Sequence, residues 1–193
     1  MLDNLEKYKV ILASGSPRRR ELMAGLGVNY EVRILPDVDE SYPDTLQGEE
    51  IPLYIAKEKA DAYIPMMQPD ELIITADTIV WLDGEVLGKP RDREDALQML
   101  RTMSGRTHEV FTGVCITTTD WQRSFTAQTE VRFATLSEDE IIYYVDNFKP
   151  MDKAGAYGVQ EWIGFIGVEN ISGSYYNIMG LPVQKQYREL LKV

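Results

Sequence analysis

The run Ser14-Gly15-Ser16-Pro17-Arg18-Arg19 gathers the residue types that grip a phosphate. Ser16 is a natural N-cap and Pro17 a natural first helical residue, so a helix is predicted to start there. A helix N-terminus leaves backbone N–H groups unbonded and carries a partial positive charge. Gly15 lets the backbone come close to a ligand, Ser14 and Ser16 add hydroxyl donors, and the Arg18 guanidinium can take a phosphate through two parallel bonds. Arg18, Arg19 and Arg20 oppose the dipole of that helix, which suggests an anion that offsets them. The run is not a Walker A loop, because the pattern GxxxxGK followed by Ser or Thr is absent. On residue types alone, a solvated first turn in which Ser16 merely caps the helix accounts for the same residues.

Asp77 follows the apolar run Leu72-Ile73-Ile74. In open α/β sheets strand ends line the binding crevice, and a carboxylate placed there can hold a divalent metal or act as general base toward water. The competing reading is an aspartate that caps its own turn. Lys59 on a predicted helix, Lys89 before Pro90 and Lys153 in Asp152-Lys153-Ala154-Gly155 add positive charge beside turns; taken singly, each reads more simply as a solvated lysine. Asp39-Glu40, in an acidic loop, could bind a metal or be plain surface. His108 and Cys115 are the sole residues of their types, which excludes a zinc site of several His and Cys ligands. Cys115 sits in the run Val114-Cys115-Ile116 and reads as a buried, inert thiol. His108 has no serine in a nucleophile-elbow context and reads as part of a polar network.

These groups must be held by elements whose patterns alternate between strand and helix, as in an α/β fold. Strands are predicted at Lys9 to Ala13, Tyr30 to Leu35 and Glu71 to Thr75, and a β-hairpin at Ile79 to Leu87 around Asp83-Gly84. Two long antiparallel strands are predicted at His108 to Thr118 and Arg123 to Phe133. Helices are predicted from Pro17 to about Leu26, from Ile51 to Ile64, from Asp92 to Met103, from Ser137 to Phe148 and from Pro182 onward. Ser137 and Glu140 have capping-box spacing. The stretch from Pro36 to Glu50 is polar and acidic and reads as a long loop. Residues 173 to 182 read as a turn before the last helix.

At 193 residues and 44% hydrophobic content, the chain has material for one domain with a core, expected to span residues 1–193. The net charge of −11 disfavours a surface that tracks a nucleic-acid polymer, yet a local basic pocket with a divalent cation can still bind a small anion. No apolar run approaches the ~20 residues of a membrane span. The opening MLDNLEKYKV has no apolar signal region, so a cytoplasmic protein with no membrane partner is expected.

Order and spacing say more than any single motif. Leu12-Ala13-Ser14-Gly15-Ser16-Pro17-Arg18-Arg19 with Glu21-Leu22, then Ala76-Asp77-Thr78-Ile79-Val80 and Gly88-Lys89-Pro90, resemble the Maf family of nucleotide pyrophosphatases. So do Gly105-Arg106-Thr107-His108 with Thr112-Gly113-Val114, Asp152 to Gln160, and Gly173-Ser174-Tyr175 with Gly180-Leu181-Pro182. The resemblance implies a two-lobed α/β fold around a twisted mixed β-sheet flanked by helices, like that of inosine triphosphatases, with the active site in a central cleft. It implies metal-assisted hydrolysis of a nucleoside triphosphate to the monophosphate and pyrophosphate, a house-cleaning activity of nucleotide metabolism. Asp77 takes the place of the proton acceptor; Arg18, Thr78 and Gln160 match positions tied to substrate choice; Ser14, Lys59 and Lys89 match polar lining positions, and Ser16 joins them as a phosphate donor. Glu40 matches an acidic residue near the metal, so Asp77 and Glu40 are the expected ligands of Mg²⁺ or Mn²⁺. The run Ala154-Gly155-Ala156-Tyr157-Gly158-Val159-Gln160 is similar to the branch acting on dTTP and UTP. A homodimer is implied as well. One departure stands out: where the family commonly has a small residue after Gln160, this chain has Glu161-Trp162. The alternatives are a pyrophosphatase for another or modified base, such as 7-methyl-GTP, and a non-catalytic nucleotide-binding regulator of cell division.

Overall fold

The computed structural model describes residues 2–36 and 38–193. Its elements are, in chain order, β1 (Lys9–Leu12), α1 (Pro17–Gly25), β2 (Glu31–Val32), α2 (Glu50–Asp61), β3 (Glu71–Leu82), β4 (Glu85–Leu87) and α3 (Arg93–Met103). There follow β5 (Thr107–Thr117), β6 (Gln122–Phe133), α4 (Glu138–Phe148), α5 (Trp162–Gly167), β7 (Val168–Ser172), α6 (Tyr175–Met179) and α7 (Val183–Leu190). The strands form one mixed sheet in the order β2-β1-β3-β5-β6-β7, with β4 on β3. The fold is therefore α/β, as expected. Backbone contacts divide the chain into two compact units, Met1–Asp77 with Thr112–Ala127 and Gly180–Val193, and Thr78–Phe111 with Gln128–Met179. No described helix is long and apolar enough to cross a membrane.

In the first unit β1 runs parallel to β2 and to β3, in the register Lys9↔Glu71 to Leu12↔Ile74. Val10, Ile11 and Leu12, like Leu72, Ile73 and Ile74, are buried, the pattern of strands covered on both faces. Ile11 and Ile73 pack with Tyr63, and Ala56 and Ala60 of α2 pack with Cys115 of β5. Gly113 lets α2 lie directly on β5, since a Cβ there would stand 2.4 Å from the carbonyl carbon and oxygen of Pro52. The Thr75 hydroxyl donates to the Ala56 carbonyl at 2.6 Å and fixes α2 to β3 as well.

The expected strand over Tyr30 to Leu35 shrinks to Glu31–Val32. Beyond it, backbone groups turn to a side chain instead of a ladder: the Tyr63 hydroxyl donates to the Arg33 carbonyl at 2.8 Å and accepts from the Leu35 N–H at 3.1 Å. The expected break of β3 near Asp77 does not occur. β3 exchanges one neighbour for another instead, leaving β1 after Ile74 and pairing antiparallel with β4 from Val80↔Leu87. The hairpin turn between them has Asp83 and Gly84 at positive φ (53° and 88°), as an Asp-Gly turn requires.

In the second unit Asp92 caps α3 by accepting from the Asp95 N–H, and Ser137 and Glu140 form the capping box of α4. Residues 173 to 182 are not merely a turn, since α6 forms there, held by the buried Asn177 amide, which donates to the Val110 carbonyl and to Thr129 Oγ1 at 3.1 Å each. β7 adds antiparallel to β6 through pairs such as Glu130↔Ser172. In α7 the buried positions are Gln186 and Leu190, while Leu191, just past its end, is exposed.

Candidate active site

Asp77 and Thr78 occupy the stretch of β3 between its pairing with β1 and its pairing with β4. They interrupt a run of buried residues with two of intermediate exposure. Asp77 therefore lies inside a continuous strand and not at a strand end, so its place is set by the change of partners.

In the first unit, α2 carries Lys59 toward β3. The Lys59 ammonium donates to Asp77 Oδ1 at 3.0 Å and lies 2.8 Å from Glu40 Oε1. Lys59 and Asp77 side chains are each 14% exposed, against 55% for Glu40, so the pair is largely removed from water while Glu40 reaches in from the loop. Lys59 is thus not a solvated lysine. Asp39 turns the other way: its two oxygens accept from the backbone N–H and the hydroxyl of Ser41, both at 2.8 Å, and these bonds hold its carboxyl below the usual range. Of the acidic pair, Glu40 faces the lysine and Asp39 shapes the loop.

At the head of α1, Ser16 accepts from the Arg19 N–H, and Ser14 Oγ accepts from the Ser16 N–H at 3.3 Å. Ser14 is buried; Arg18 is partly exposed. Arg19 has a part that the motif reading missed. Its Nε donates to the Gly180 carbonyl at 2.8 Å and its Nη1 lies 3.4 Å from Ser14 Oγ, tying the α1 turn to the segment before α7. Burial lowers the Arg19 guanidinium, and the charges of Asp77 and Glu40 act to raise it again.

In the second unit, the Gly155 N–H donates to the Gly88 carbonyl at 3.0 Å, joining the segment that carries Lys89 to the turn that begins the Gly155–Gln160 run. Gly155 has φ +67°, and a Cβ on it would stand 2.9 Å from the Val80 side chain, so only glycine lets this turn rest on β3. Lys89 is exposed. Gln160 Oε1 is shielded from solvent and has no hydrogen-bond partner among the described residues. Lys153, read from sequence as a solvated lysine, is 8% exposed and lies 3.1 Å from Glu161 Oε1 and 2.9 Å from Asp152 Oδ1. No spacing rule signals this cluster, because its members come from two separate loops.

His108 and Cys115 stand apart from this chemistry. His108 Nε2 lies 2.7 Å from the Tyr157 hydroxyl inside a cluster of edge-on rings with Phe133, and burial lowers its pKa to about 4. Cys115 is fully buried, and burial pushes its thiol up to about 11.

No three His, Cys, Asp or Glu side chains gather as a metal cage among the described residues. The carboxylates of Asp77 and Glu40 do converge on one point, now held by the Lys59 ammonium. Two hard oxygen donors, completed by substrate phosphates, are the usual protein share of a Mg²⁺ site, so the residues present fit such an ion.

The family model described as "Maf-like protein" matches residues 9–193. The dTTP/UTP pyrophosphatase of Bacteroides thetaiotaomicron is 71% identical, covering 100% of both chains. That of Bacteroides fragilis strain YCH46 is 70% identical over 98% of each. Flavobacterium psychrophilum has a protein of the same name at 51% identity, over 96% of this chain and 95% of its own. Among solved structures, the Staphylococcus aureus Ham1 protein is similar at 17% identity with a TM-score of 0.49, over 82% of this chain and 90% of that one.

Proposed function

The chain belongs to the family of Maf-like proteins, and on that premise we propose that it hydrolyses nucleoside triphosphates, dTTP and UTP foremost, to the monophosphate and pyrophosphate. The observation that carries this reading is the Lys59 ammonium braced between Asp77 and Glu40. Such an array holds carboxylates in place before substrate arrives and suits polyphosphate chemistry better than nucleic-acid tracking, as does the net charge of −11.

Water attacks the α-phosphorus, the bond to the bridging oxygen of the β-phosphate breaks, and pyrophosphate leaves. Asp77 orients the water and accepts its proton. Arg18, Lys59 and Lys89, with the hydroxyls of Ser14 and Ser16 and the positive end of the α1 dipole, stabilise charge that grows on the phosphates. Asp77 and Glu40 would hold a divalent ion, Mg²⁺ or Mn²⁺, which would supply further neutralisation of the triphosphate charge. The reading extends to a homodimer acting on free nucleotides in the cytoplasm.

Thr78 and Gln160 face the base or sugar. A buried acceptor without a partner costs about 1–3 kcal/mol, which a ligand donor relieves. Uracil and thymine present an N3–H that Gln160 Oε1 can accept; cytosine presents a bare N3 and leaves the acceptor orphaned.

The test is pyrophosphate release from a panel of nucleoside triphosphates with Mg²⁺, Mn²⁺ or EDTA. Metal-dependent release that is fastest with dTTP and UTP supports the reading. Release fastest with another base keeps the chemistry and removes the assignment of Gln160. No release from any triphosphate by folded protein refutes the hydrolytic function.

A further inference from the structure

The two residues that follow Gln160 both close on neighbouring residues of α4. The Glu161 carboxylate accepts from the Tyr144 hydroxyl and lies 3.1 Å from Lys153 Nζ. The Trp162 ring packs edge-on against Tyr143, with centroids 4.7 Å apart. Tyr144 is fully buried, and its hydroxyl also accepts from the Gly158 N–H at 2.9 Å. The Glu161 N–H donates to the Gly158 carbonyl at 2.9 Å, so residues 158–161 form a tight turn with both ends fastened to one tyrosine. The turn closes tightly at Gly158, where a Cβ would stand 3.0 Å from Glu161 Cδ and from Lys153 Cε. Inside the turn sits Gln160, whose shielded Oε1 meets no partner among the described residues.

Each member needs the others. A buried tyrosine hydroxyl needs partners, a largely desolvated carboxylate needs a counter-charge, and Lys153 supplies it. The cost of assembling such a network is recovered when it holds a neighbouring group in one orientation, and recognition by a single amide depends on that orientation.

We propose that Glu161 is a positioning residue for base recognition: through Tyr144 and Lys153 it locks the 158–161 turn so that Gln160 presents its acceptor to the N3–H of a uracil or thymine nucleotide. This rests on the reading above that Gln160 reads the base. The carboxylate that departs from the family's small residue is thereby a support behind the reading side chain, and its removal weakens base discrimination without touching the chemistry at phosphorus.

The experiment compares full-length wild type, Glu161→Ala, Glu161→Gln, Tyr144→Phe, Gln160→Ala and the Glu161→Ala/Gln160→Ala double variant. The readouts are pyrophosphate release from UTP and CTP and amide hydrogen exchange over residues 157–162. Glu161→Ala is expected to raise KM for UTP about tenfold, the scale of one hydrogen bond, with kcat within about twofold and the preference for UTP over CTP narrowed. The Gly158 and Glu161 amides should exchange faster. Glu161→Gln, which keeps an acceptor for Tyr144, should recover part of the effect, and the double variant should be no worse than Gln160→Ala alone. If Glu161→Ala fails to fold, Tyr144→Phe carries the same expectations. Faster exchange with an unchanged KM and unchanged UTP/CTP ratio would overturn the proposal, as would additive losses in the double variant. Both outcomes leave the hydrolytic reading standing. No release by wild type from any triphosphate refutes that reading and the proposal with it.

Discussion

The ammonium of Lys59 donates to Asp77 Oδ1 at 3.0 Å, joining a helix to the middle of a strand 18 residues further on. Both side chains are largely buried, and Glu40 completes the charge balance from an exposed loop. This arrangement fixes the carboxylate expected to take the proton from water. Asp77→Asn keeps its shape and removes its charge. The turnover rate should fall ~10²-fold or more, the range for loss of a general base, with circular dichroism unchanged. A rate near wild type would remove Asp77 from the mechanism.

Metal removal should separate activity from stability. Asp77 and Glu40 are the only protein carboxylates proposed for the ion, and no larger cage exists among the described residues. EDTA should therefore abolish pyrophosphate release and leave the melting temperature of the nucleotide-free protein where it was; Mg²⁺ or Mn²⁺ should restore activity. A large drop in melting temperature with EDTA would mean that a structural metal site exists elsewhere.

Gly113→Ala probes the seat of α2. The added methyl would meet the Pro52 carbonyl carbon and oxygen at 2.4 Å, and backbone cannot step aside as a side-chain tip can. A cost of about 1–3 kcal/mol is expected, as for overpacking a core, lowering the melting temperature by roughly 2–4 °C per kcal/mol. Since α2 carries Lys59, kcat should fall too. Unchanged thermal melting would show that α2 can lift from β5 at no cost.

His108 should make stability fall on acidification. Its folded pKa of about 4 lies below the unfolded value of 6.5, so the unfolded chain binds the proton first. The contribution is whole above pH 6.5, declines as pH falls from 6.5 toward 4, and is lost below that. The shift corresponds to on the order of 3 kcal/mol. Urea unfolding of wild type and His108→Gln across this window should converge toward pH 4; parallel curves would show that His108 titrates alike in both states.

Several features were open to reading along the chain because they are local. Ser16 with Pro17, Asp92, and Ser137 with Glu140 mark helix starts through bonds that span three residues, and Asp83-Gly84 marks its turn through positive φ at two adjacent positions. The apolar runs at Val10 and Leu72 announce covered strands, and the spacing of Asp77, Lys89 and Gln160 along the chain pointed to the family. Other features depend on residues that meet only after folding. β2 stops short because Tyr63, some 30 residues away, takes the backbone groups at Arg33 and Leu35. β3 passes unbroken through Asp77 while its neighbour changes from β1 to β4, and no residue within the strand records that exchange. Lys153 changes from a plausible surface lysine to a buried cation because Glu161 and the loop over Tyr144 come to it. Capping and turn bonds close within a few residues and leave a pattern in the order of amino acids; charge pairing and partner exchange close across many residues, and only the packed chain brings those partners within reach.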